Sequence, residues 1–158
     1  MNTIDASWHS KIAELKCPQK NRANSIEFTS LIDLAINSNN QEVIKSLFFS
    51  LSDEDCGGVE QSVYGVLGTV PLNTYYSVLC QEILNLINII PKRTVQLLDF
   101  TGYDLEERQV KEICDEILLL YPKSANNTIE KICNVIHSEN YSNDFLYNQF
   151  YNHLCRGT

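Results

Sequence analysis

The sequence predicts an all-α protein, with antiparallel helix pairs stacked either as a short HEAT-like α-solenoid or as an irregular helical bundle. Three observations carry that prediction. Apolar residues recur at steps of three and four almost throughout. No segment alternates apolar and polar residues as a half-buried strand would. Prolines and glycines cut the pattern into pieces of helix length, joined by connections short enough to force antiparallel neighbours.

The whole chain, residues 1–158, reads as one helical domain that opens with an N-terminal capping arm over 1–24, packing through Trp8, Ile12 and Leu15 of a helix near 7–16. Phe28, Leu31, Ile32 and Ala35 mark a helix near 26–38, and Val43, Ile44, Leu47 and Phe48 another near 40–51. Gly57 and Gly58 separate that helix from one near 58–70, striped by Val59, Val63, Leu67 and Val70. Leu72, Tyr76, Leu79, Ile83, Leu86 and Ile90 then share one face of a helix over 72–90. Cys80, Leu84 and Ile87 widen this face, so the helix should be central and meet neighbours on two sides.

Pro71, Pro91 and Pro122 each follow an apolar run, and proline suits a first helical turn because that turn needs no donor. Pro91 thus introduces a helix near 92–100. Asp104 with Glu107 has capping-box spacing and opens a helix near 105–121, whose stripe is Val110, Ile113, Cys114, Ile117 and Tyr121. Ile129, Ile132, Cys133 and Ile136 mark a helix near 124–138, and Phe145, Leu146, Phe150 and Leu154 a last one near 143–155. Cys80-Gln81-Glu82-Ile83-Leu84 recurs 34 residues later as Cys114-Asp115-Glu116-Ile117-Leu118. That period suits a helical-repeat array, whereas the shortness of the match leaves the irregular bundle open.

Composition narrows the function classes. Hydrophobic residues make up 44% and charged residues 20%, ordinary for a globular chain. Residues 1–20 hold no apolar run of signal-peptide length, and no stretch reaches a membrane span, so a cytoplasmic protein is expected. Twenty acidic residues against 12 basic give a net charge of −8. Nucleic acid and anionic membranes reward the opposite sign, whereas a basic protein partner would be drawn in. Six cysteines, at 17, 56, 80, 114, 133 and 155, lack the close pairs of a disulfide scaffold and are expected to be reduced, several as small core hydrophobes.

Signatures of nucleotide-binding loops, zinc proteases and serine hydrolases are absent, and the expectation is a non-enzyme without cofactor. Cys133, His137, His153 and Cys155 are the one set of soft ligands to weigh for zinc, and the set is rejected. His137 lies one step off the apolar stripe, and His153-x-Cys155 lacks zinc-site spacing. The carboxylates cluster at Asp53-Glu54-Asp55, at Asp104 with Glu106 and Glu107, at Asp115-Glu116, and at Glu139 with Asp144. Capping and binding both explain such acids at helix starts.

Alternating connections should collect on two edges. One edge gathers Tyr75, Tyr76, Tyr103, Asp104, Glu106, Glu107, Glu139, Tyr141 and Asp144 without counter-charge, and forms the expected partner-binding surface. The other mixes Asp53, Glu54 and Asp55, the alternative cluster, with Lys92, Arg93 and Lys123.

The stretch from Leu51-Ser52-Asp53-Glu54-Asp55, through Val59-Glu60-Gln61-Ser62-Val63-Tyr64 and the helix around Tyr75-Tyr76, to Ile90-Pro91 resembles bacterial immunity proteins, specifically the all-helical immunity family numbered thirty. Residues 51–118 carry the likeness, and the sequence departs from the family pattern where Pro91 is followed by Lys92-Arg93 rather than tryptophan. The resemblance implies an antidote from a contact-dependent inhibition or polymorphic toxin system. It would bind a cognate toxin domain, a basic nuclease, and cover its active site or substrate groove. A HEAT-like adaptor for protein assembly, unrelated to toxins, is the alternative, and a metal-dependent hydrolase using the acidic clusters is a third reading.

Overall fold

The computed structural model describes residues 4–16, 22–54, 56–100, 103–122, 127–139 and 145–156, with the side chains of all but 145–147. The described residues form nine α-helices and no strand, so the fold is all-α. The chain makes two compact units, 1–78 and 79–158, and the boundary falls inside one helix.

The first unit holds α1 (Ala6–Leu15), α2 (Arg22–Asp33), α3 (Gln41–Ser50), α4 (Glu60–Leu67) and the first turns of α5 (Leu72–Ile89). Asp5 caps α1, accepting from the Ser7 and Trp8 backbone N–H groups at 2.8 and 3.1 Å. Trp8 and Ile12 are buried while Leu15 is only half-buried. Trp8 Nε1 donates to the Leu31 carbonyl at 2.8 Å, and His9 Nδ1 lies 2.7 Å from Ser46 Oγ. These bonds tie α1 to α2 and α3, and the expected end of the arm at 24 falls inside α2.

Helix ends moved where local chemistry intervened. The helix expected over 26–38 begins at Arg22 and stops at Asp33. Tight turns follow it, with Asn37 in the left-handed region at φ 58°. The helix expected over 58–70 is trimmed to Glu60–Leu67: Gly57 and Gly58 take φ of 65° and 87° before it, and tight turns from Thr69 to Val66 and from Val70 to Leu67 follow it. A Cβ at either glycine would meet no atom within 4 Å, so the dihedral, not space, calls for glycine there.

The second unit holds the rest of α5, then α6 (Pro91–Leu98), α7 (Glu107–Leu120), α8 (Thr128–Ser138), α9 (Phe145–Tyr151) and a π-helical turn, Asn152–Arg156. Pro91 occupies the first turn of α6, as its fixed φ suits. α6 packs on α8, while α7 packs on α9 and the π-helical turn. Tyr121 Oη at the end of α7 donates to the Gln81 carbonyl of α5 at 2.5 Å. Phe150 and Leu154 are fully buried, so the C-terminal segment belongs to the core.

The expectation of six reduced cysteines is corrected. Cys133 of α8 and Cys155 of the π-helical turn form a disulfide, with Cα atoms 6.1 Å apart. Cys56 is also disulfide-bonded, and Cys17 lies outside the described residues. Cys80 and Cys114 are free and buried, as the helical stripe predicts. Burial, with Glu116 nearby, pushes the Cys80 thiol up to about 12, and burial and Asp115 raise that of Cys114 as well. The rejected zinc set has its two sulfurs bonded to each other.

Leu79 and Ile83 are both 0% exposed, and truncating either to Ala should cost about 2–5 kcal/mol in denaturant unfolding. The Cys133–Cys155 crosslink spans 22 residues, and chain-entropy reasoning gives it about 3 kcal/mol. Replacing both by Ser should lower stability by that order, and alkylation under denaturing conditions should leave these two residues unmodified until reductant is added.

Candidate functional site

The expected surface begins at the start of α7, and its cap differs from the sequence reading. The N-cap is Glu106, not Asp104: the Glu106 backbone N–H donates to Gln109 Oε1 at 2.8 Å, while the Glu106 carboxylate accepts from the Gln109 backbone. The physical reason for the two-residue shift is Leu105. It precedes the cap as Val110 follows it by four, the positions of a hydrophobic staple, and both are buried. Asp104 is left exposed outside the helix.

Glu106 and Glu107, both exposed, line an open cleft of about 520 Å³ with Arg108, Lys111 and His153. Here the sequence reading missed cations. Arg108 Nε donates to Glu112 Oε1 at 2.8 Å, and Lys111 Nζ to Asp115 Oδ2 at 2.6 Å, both across one helical turn. Those pairs were visible as i,i+4 spacing. His153 was not, because only the packing of the π-helical turn on α7 carries it to the cleft.

Two further expectations are corrected. Tyr75 is 0% exposed and so presents no surface for docking: its ring meets Phe48 edge-on at 5.2 Å and Tyr76, also buried, at 4.9 Å. Stacking against core aromatics outweighs the pull of one hydroxyl toward water. Glu139 is not without counter-charge, since Lys92 Nζ lies 3.0 Å from its Oε1. The pairing of α6 with α8 brings together two residues assigned to opposite edges.

Tyr103 is half-buried against Phe100, ring centroids 5.5 Å apart, and burial pushes its phenol up to about 12. In the other unit, Asp53 is half-exposed and Glu54 exposed in the bend after α3. Asp55, Tyr141 and Asp144 lie outside the described residues. No helix among those described is long and apolar enough to cross a membrane.

What the α7 start can do chemically is limited by these commitments. Glu106 serves the cap, Arg108 and Lys111 serve intrahelical pairs, and the carboxylates stand in water where general acid–base work gains little from their surroundings. Electrostatic attraction of a cationic surface needs no more than this arrangement. Comparison with family models, with curated proteins and with solved structures found no match to the chain.

The raised Tyr103 phenol gives a pH prediction. Between about pH 10 and 12 the unfolded chain has lost this proton while the folded chain keeps it, so stability is unaffected below pH 10 and falls above it. Tyr103→Phe should lose less stability over that interval than the native chain in parallel denaturant titrations.

Proposed function

We propose that this chain is a non-enzymatic antidote of the immunity class, which neutralises a basic toxin domain by stoichiometric binding through the exposed face of α7. The observation that carries the reading is charge. Asp104, Glu106, Glu107, Glu112, Asp115 and Glu116 are all exposed, against two basic residues, Arg108 and Lys111, each already paired within the helix. The net charge of −8 has the same sign. A nuclease presents Lys and Arg to its phosphate substrate, and such a groove is complementary to this face. Carboxylates seated where phosphates bind would block it without chemistry of their own.

The cytoplasmic expectation rested on the lack of an apolar leader-like run and of a membrane span. With Cys133 and Cys155 bonded, the reading shifts to an oxidising compartment, where such bonds persist, and interception of the toxin there.

The test is affinity capture from toxin-producing cells, followed by titration of the captured basic domain with charge-reversed variants. Glu107→Lys is the informative change, since Glu107 is exposed and makes no cap, whereas Glu106→Lys also disturbs the capping box. Glu107→Lys should slow association about tenfold at low salt, with the difference fading as salt is added. Glu54→Lys should change association little. A critical Glu54 with a silent Glu107 would move the surface to the 53–55 bend, and absence of any basic partner would favour the adaptor reading.

A further inference from the structure

Resting on that reading, we infer that the partner docks along the solvent face of α7 with an apolar anchor over Leu119, and that its contacting element is a basic amphipathic helix. The helix buries Val110, Ile113, Cys114 and Ile117 as one stripe. Arg108, Glu112, Asp115 and Leu119 follow one another at steps of four, three and four, so they form the ridge opposite. A ridge facing water has no need of leucine, yet Leu119 is 78% exposed at its C-terminal end and the adjacent Leu120 is 44% exposed.

A single exposed leucine is common on any surface. What distinguishes this one is its rim. Helical side chains lean toward the N-terminus, so Leu119 lies over the turn holding Asp115 and Glu116, with Glu112 one turn further on. Asp115 and Glu112 already hold Lys111 and Arg108, whereas Glu116 has no ion pair among the described residues. An apolar end bordered by acids on its N-terminal side suits a protein interface, where a dry contact adjoins a charged margin. Its charge selects the occupant: apolar residues flanked by Lys or Arg, on an element that follows a helical ridge over several turns.

The experiment titrates the full chain with three synthetic peptides: an amphipathic Leu/Lys helix, a Ser/Lys peptide of equal charge, and a Leu/Glu helix. Calorimetry gives affinity and amide shifts give the site. The Leu/Lys helix should bind one to one with shifts centred on 112–120, and the Ser/Lys peptide about tenfold more weakly. The Leu/Glu helix should not bind. Leu119→Asp and Glu116→Lys should each weaken the Leu/Lys helix about tenfold, and the distant Glu54→Lys should not. Leu119→Ser serves as a second variant should Leu119→Asp melt differently. Equal binding of the Leu/Lys and Ser/Lys peptides, an unaffected Leu119 variant, or no Leu/Lys binding would overturn the anchor. None of those results bears on Glu107→Lys with the toxin domain, which tests the antidote reading separately.

Discussion

Most of the described helices are too short to stand alone in water. α4 and α6 have eight residues each and even α5 has 18, close to the range where isolated helices are marginal. Each persists only by burying an apolar stripe against a neighbour, and the remaining features follow from that requirement. It places Trp8 and Ile12 under α2 and α3, and it draws Phe150 and Leu154 into the core of the second unit. It also turns the opposite face of each helix outward. On α7 that outward face concentrates the charge of the candidate surface, so the acidic ridge is the complement of the burial that makes the helix form.

Because burial and the candidate surface occupy opposite sides of α7, few residues serve both. Glu106 is the exception. Its carboxylate satisfies a backbone donor of the first turn while its charge contributes to the cleft. Glu107, Glu112 and Glu116 carry no such double duty to the helix start, which leaves them freer to follow a changing partner than the residue that opens the helix.

Much of the fold was legible because the 3.6-residue period repeats in nearly every helix. Val110, Ile113, Cys114 and Ile117 are buried where their spacing puts them. Tyr75 was misplaced although the same logic applies to it: it stands four residues before Leu79, which itself stands four before Ile83, on the buried side of α5. Its hydroxyl invited a surface role that ring packing overrode. The cap shifted from Asp104 to Glu106 because a cap is set by the flanking apolar pair as well as by its own side chain, and Leu105 was the overlooked half. The disulfide was beyond reach of spacing. Cys133 and Cys155 approach through the packing of the π-helical turn against α8, a tertiary event that a sequence separation of 22 does not announce. The Lys92–Glu139 pair was hidden for the same reason, since a simple alternation of connections assigns them to opposite ends.

The two free cysteines have a further consequence for the oxidised chain. Six cysteines can pair in many ways, and a wrong pairing traps a chain until it is reshuffled. Once α5 and α7 have packed, Cys80 and Cys114 are sealed from solvent and hold their protons, so they supply almost no thiolate to attack a neighbouring disulfide. Four cysteines remain, and four can be joined in only three ways. Burial of these two thiols thus acts as an editor of crosslinking, shrinking the search among sulfurs once the two helices have packed.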